Sequence, residues 1–248
     1  MSVMGDCRLY APVYKAEAMS DKQKQELVFL FDVDNTLLNN DRSKADMQAK
    51  LLEILGEQGA QRFWELYEEV RAELDVVSYP ETLERFARSW EDKVIAERAA
   101  DLINNWPYGD YVYPGSFPAL EHITRMGEVA ILSDGDDDYQ ARKIANAGLT
   151  KAVGGPADVL IYIHKEEQFT DVMRRLPGEH YVLVEDKERI LANAKSILGD
   201  KLTTVWVKQG HYAHDPKQYR KPDPDITLES IGELCRLSKE DFTLPRKE

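Results

Sequence analysis

Two aspartates, Asp32 and Asp34, stand directly after the apolar run Leu27-Val28-Phe29-Leu30-Phe31. Side chains two apart on an extended chain point to the same side, so these carboxylates meet at the mouth of a buried strand. Crowded carboxylates repel one another and lose solvation unless a cation lies between them. The pair therefore points to a divalent metal together with a nucleophile or base. Further reactive side chains follow other apolar runs. Ser133 and Asp134 come after Val129-Ala130-Ile131-Leu132, Lys165 lies just past residues 159–163, and Glu185-Asp186 follow Tyr181-Val182-Leu183-Val184.

The elements that must position these residues alternate along the chain. Continuous apolar runs at 27–31, 129–132, 159–163, 181–184 and 202–207 read as strands covered on both faces. Helical patterns fall at 117–126, 139–147, 165–176, 190–198 and 227–237. This order predicts an α/β fold with a doubly wound, parallel, five-stranded sheet. Ligands of such sheets bind outside the carboxyl ends of the strands, where the candidate residues stand. Residues 43–112 carry no strand pattern. Ser43 with Asp46 resembles a capping box, and Met47, Leu51, Leu52, Ile54 and Leu55 keep helical spacing up to Gly56 and Gly59. More helices are expected at 60–74 and 81–104, with Trp64, Tyr67 and Trp90 as packing residues. The chain thus divides into an N-terminal arm (1–26), an α/β core (27–42 and 113–248) and a smaller all-α domain (43–112).

Composition narrows the chemistry. The 248 residues carry a formal charge of −13, which argues against nucleic acid and anionic membrane surfaces as partners. An acidic protein still binds an anionic small molecule where a metal and a few cations reverse the local sign. Cys7 and Cys235 fit neither a zinc spacing nor a disulfide framework, and a reducing cytoplasm is the expected setting. The first residues lack an apolar h-region, and no run approaches membrane-spanning length, so neither signal peptide nor membrane span is expected. The acidic run 134–138 fails as a calcium loop, because Tyr139 and Ala145 occupy the positions that need Gly and Glu. It suits a helix N-terminus instead. His211 and His214 lack a third ligand and read as surface residues.

The order of these residues resembles the haloacid dehalogenase-like hydrolase superfamily, in particular its phosphatase branch. The resemblance rests on Asp32-Val33-Asp34-Asn35-Thr36, on Ile131-Leu132-Ser133-Asp134-Gly135, on Lys165, and on Val182-Leu183-Val184-Glu185-Asp186. It covers residues 27–42 and 113–208. Glu166 stands where a proline often follows the family's lysine. The resemblance implies a Rossmann-like core and a helical cap, the latter at residues 43–112. It implies that Asp32 attacks phosphorus to form an aspartyl-phosphate and that Asp34 serves as acid and then base. Mg²⁺ would be held by the Asp32 carboxylate, the Asp34 backbone carbonyl and Asp186, with Glu185 direct or one step removed. Ser133, the Asp134 backbone N–H and Lys165 would hold the phosphate. The expected activity is a Mg²⁺-dependent phosphatase acting on a small phosphorylated metabolite, as monomer or homodimer. Alternatives on the same core are a haloacid dehalogenase, a phosphomutase or a phosphonatase. A phospho-accepting receiver or binding module is the non-enzymatic one.

Overall fold

The computed structural model describes residues 23–243. Most of the expected N-terminal arm, residues 1–22, lies outside them. The arm's last residues already belong to the sheet, because strand β1 spans Gln25–Phe31. Gln25 N donates to Pro177 O at 2.9 Å. Exposed Gln25 and Glu26 therefore pair through their backbones, a property that apolar patterning does not report.

Strands β2 (Glu128–Asp134), β3 (Val159–Tyr162), β4 (Gly178–Glu185), β5 (Leu202–Val207) and β6 (Ile226–Leu228) complete a sheet of order β3-β2-β1-β4-β5-β6. All its pairings are parallel. Among the described residues the sheet has six strands, not five. The helix expected at 227–237 is in fact β6 followed by a 3-10 turn over Ile231–Arg236. Ile226 and Leu228 are buried while Thr227 is exposed, a period of two that three residues are too few to announce in sequence. Asp225 secures this edge. Its Oδ2 accepts from Thr204 N (2.8 Å), Thr204 Oγ1 (2.9 Å) and Lys195 Nζ (2.8 Å).

Alternate residues of each strand feed the two faces. Phe29, Phe31, Ile131, Val182, Val184 and Val205 pack under α4 (Ser116–Ile123), α5 (Asp137–Asn146) and α6 (Leu149–Ala152). Val28, Leu30, Leu132 and Leu183 pack under α7 (Phe169–Arg175) and α8 (Glu188–Leu198). Phe242, near the end of the described chain, sets its ring edge-on to Phe29 at 5.1 Å. No helix among the described residues is long and apolar enough to cross a membrane.

The insertion between β1 and β2 is helical: α1 (Asn40–Leu74), α2 (Tyr79–Ser89) and α3 (Lys93–Asn104). Within α1, Gly56 adopts φ 66°, ψ 177°, which interrupts the helix without ending it. The cap of α1 is Asn39, whose side chain accepts from Arg42 N at 3.0 Å. Ser43 is therefore not the cap. It lies buried inside the helix, and its Oγ accepts from Trp106 Nε1 at 3.0 Å. The single helix expected over 81–104 is broken near Trp90, and Asp92 caps the second piece through Ile95 N at 3.1 Å. Tyr67 is buried, and Trp64 and Trp90 pack half-buried against the insertion's apolar residues.

The Asp225 carboxylate gives the fold a test. Burial pushes its pKa up, but the Lys195 and Thr204 bonds win and hold it below the usual value. Its stabilisation is thus complete above the unfolded pKa of about 3.9 and fades as pH falls through the lower folded value. Urea denaturation at neutral pH is expected to show Asp225→Ala less stable by about 2 kcal/mol, with the difference shrinking at pH 3.

Candidate active site

The sheet order explains the site. β1 lies between β2 and β4, and the chain crosses from one side of β1 to the other between β3 and β4. A crevice opens at such a reversal. Phe31 pairs with Ile131 on one side and Val184 on the other, so Asp32, Ser133 and Glu185 emerge within one residue of the same level. Asp32 N still donates to Val184 O at 3.0 Å. The chain then turns sharply. Asn35 takes a left-handed conformation (φ 66°), which a short polar side chain tolerates. Its amide donates to Asp41 Oδ1 and its carbonyl accepts from Asp41 N, both at 3.1 Å. The loop after β5 closes over this turn. Gly210 approaches so closely that a Cβ there would lie 2.5 Å from Asn35 Cβ, and His211 N donates to Asp41 Oδ2 at 2.8 Å.

Asp32, Glu185 and Asp186 are buried and offer carboxylate oxygens within 4.8 Å of one another. Lys165, fully buried, sits among them. Its Nζ bonds Asp32 Oδ1, lies 2.7 Å from Glu185 Oε2 and donates to Leu132 O at 3.3 Å. Glu185 Oε1 accepts from the N–H groups of Asp186 and Lys187, each at 3.2 Å. Among the described residues, Asp32 Oδ2 and both oxygens of Asp186 find no hydrogen-bond partner. Burial, then the charges of Glu185 and Asp32, push Asp186 up to about 10. Burial and Glu185 push Asp32 up to about 6 against the pull of Lys165. Glu185 goes the other way. Burial opposes its ionisation, yet Lys165 and then Lys187 hold it down at about 2. Buried carboxylate oxygens without donors suit a hard divalent cation, which accepts oxygen ligands and offsets their mutual repulsion.

The other expected residues surround this cluster. Ser133 is buried, and its Oγ accepts from Gln140 Nε2 at 2.9 Å. That leaves its own proton free to donate. The Asp134 carboxylate does not face the cluster as a ligand: its Oδ1 accepts from Lys165 N at 2.7 Å and so fixes the loop that delivers Lys165. Asp34 lies next to the cluster without its carboxylate joining it, with Oδ1 on Lys143 and Oδ2 3.4 Å from Gln140 Nε2. His211 and His214 are exposed and belong to no carboxylate or histidine cluster among the described residues. Asp136, from the acidic run, caps α5 through Tyr139 N at 2.9 Å and accepts from Ser78 Oγ of the insertion at 3.0 Å.

The sequence from residue 27 to 197 matches the family model for haloacid dehalogenase-like hydrolases, more than half of the chain. The chain belongs to the haloacid dehalogenase-like hydrolase family. A haloacid dehalogenase-like hydrolase from Burkholderia xenovorans is 43% identical, with a TM-score of 0.78 over 87% of this chain and 98% of that one. L-2-haloacid dehalogenase from Xanthobacter autotrophicus (20% identity, TM-score 0.55, 84% of this chain and 96% of that one) shares the fold. So does a phosphatase of the family from Thermococcus onnurineus (22% identity, TM-score 0.56, with the same coverages). No curated protein matches the sequence.

Two residues of this haloacid dehalogenase-like hydrolase's site escaped the sequence reading: Gln140 and Lys143 of α5. A signal was present. Tyr139, Gln140, Lys143 and Ile144 form the buried stripe of α5, and a lysine on such a stripe needs a counter-charge. Lys165 carries the heavier electrostatic burden. Replacing it with Met leaves Asp32 and Glu185 buried without their common partner. In EDTA, Lys165→Met is expected to unfold in urea with stability lower by about 3 kcal/mol. An unchanged midpoint would contradict the pairing.

Proposed function

We propose that this hydrolase is a Mg²⁺-dependent phosphatase that cleaves a phosphomonoester of a small metabolite through an aspartyl-phosphate at Asp32. The observation that carries the reading is the cluster itself. Asp32 and Asp186 present partnerless buried oxygens beside a lysine-held nucleophile, and Ser133 lies at the neighbouring strand end. Asp32 and Asp186 are the carboxylates best fitted to hold the ion, with the Asp34 carbonyl as a third donor. Glu185 spends its oxygens on Lys165 and two backbone N–H groups and so acts chiefly by holding the lysine. When bound, Mg²⁺ supplies charge neutralisation for the phosphoryl group and orients it toward the nucleophile.

The residues of the chain do the rest. The Asp32 carboxylate attacks phosphorus, and Lys165 balances charge on it and on the phosphoryl oxygens. The Ser133 hydroxyl, freed by the Gln140 bond to donate, holds a phosphoryl oxygen. Asp34 protonates the departing alcohol oxygen and afterwards takes a proton from the water that opens the acyl phosphate. The helical insertion serves as a cap that shuts out water and bulky substrates. A metal-free dehalogenase with the same nucleophile would gain nothing from Asp186, whose buried carboxylate oxygens only cost stability without a cation.

Hydrolysis of 4-nitrophenyl phosphate in Mg²⁺ is expected, with loss in EDTA and a fall of roughly 10³-fold or more in Asp32→Asn. Undiminished turnover by that variant, or chloride release from 2-chloropropionate with no phosphatase activity, would overturn the proposal.

A further inference from the structure

Asp34 is less enclosed than Asp32, Glu185 and Asp186, with a side chain 31% exposed. A proton donor must point at one atom of the substrate, and a partly exposed carboxylate on two rotatable bonds does not hold its aim unaided. Helix α5 supplies two groups that do. Gln140 and Lys143 stand three residues apart, hence on one helix face. Lys143 Nζ bonds Asp34 Oδ1, and Gln140 Nε2 lies 3.4 Å from Oδ2. Gln140 also donates to Ser133 Oγ at 2.9 Å, so the same helix sets the phosphate-binding hydroxyl and the acid.

Lys143 is 4% exposed. A buried ammonium is costly unless well partnered, and its remaining partners are informative. It donates to Asn40 Oδ1 at 2.9 Å and lies 5.5 Å from the centre of the Tyr108 ring. Asn40 is the first residue of α1, and Tyr108 follows the last helix of the insertion. The lysine thus joins the acid to both ends of the inserted helices.

We propose that Lys143 is a positioning residue that aims the Asp34 carboxyl at the leaving oxygen and does so only while the insertion is seated. The inference rests on the phosphatase reading of the site. In the first step the bond from Asp32 oxygen to phosphorus forms and the bond from phosphorus to the leaving oxygen breaks. The electron pair stays on that oxygen, and Asp34, entering the step as the carboxylic acid, gives it a proton and is left as a carboxylate paired with Lys143. Help from this proton matters for a basic leaving group and little for an acidic one.

The test is a set of para-substituted phenyl phosphates of similar shape and graded leaving-group pKa, read as kcat/KM, which reports the step that releases the phenol. Lys143→Met is expected to lose about 100-fold on phenyl phosphate and under about 5-fold on 4-nitrophenyl phosphate. Lys143→Arg restores part of the loss on phenyl phosphate. Should Lys143→Met fail to fold, Asn40→Ala carries the same test, because it removes only the tie to α1. It is expected to lose several-fold more on phenyl phosphate than on 4-nitrophenyl phosphate. An equal loss across the series, or none, would show a merely structural lysine and overturn the proposal. A wild-type enzyme inert toward the whole series would instead overturn the phosphatase reading, and this one with it.

Discussion

Too many buried carboxylates share too little space at the end of β1. Asp32, Glu185 and Asp186 are all within 3% of complete burial, and the cations nearest to them are Lys165 and Lys187. Three acidic groups face two ammonium groups, and burial with mutual repulsion holds back the ionisation of Asp186 and Asp32. Lys165 is held in its charged form because Asp32 and Glu185 outweigh the cost of its burial. Lys187 is likewise held, chiefly by Glu185 and Asp32. Electrostatic repulsion of this kind is strongest where water is absent. The cluster has the ligand set to accept a positive ion, and the surrounding fold is what keeps the carboxylates from moving apart.

Several loops share that task, and they are stitched to one another rather than to solvent. Asp41 bonds the turn after β1 and, through His211, the loop after β5. Asp134 fixes the backbone of Lys165. Trp206 Nε1 donates to Asp186 O at 2.9 Å, anchoring the loop after β4 to the neighbouring strand. The insertion is bound to the core at Ser78 with Asp136 and at Asn40 with Lys143. A substitution in any of these loops would act on the chemistry by shifting a carboxylate, without touching substrate.

Much of this was legible in the sequence because it is written in short, strongly apolar runs. The strands at 27–31 and 181–184 each end in acids, and a parallel sheet has to collect its strand ends on one side. The helical insertion was legible for the same reason: seventy residues without a strand pattern leave few other choices. What was not legible depends on side chains meeting across long separations. Lys143 contacts Asp34 over 109 residues and Asn40 over 103. The sixth strand hides in three residues whose pairing is secured by Asp225, a side chain outside it. Asn39 displaced Ser43 as the helix cap because a cap is decided by backbone direction at the turn, and Ser43 was claimed by Trp106. The role of Asp134 was hidden too, since its partner is the backbone of a residue 31 positions away.

The central claim is that one divalent cation joins Asp32 to Asp186, and calorimetric titration of Mg²⁺ into the protein tests it without any substrate. A single saturable site is predicted in the wild-type chain, with the heat lost in Asp186→Asn and retained in Asp136→Asn, an acid outside the cluster. Equal binding by Asp186→Asn and the wild type, or no binding by the wild type, would contradict it.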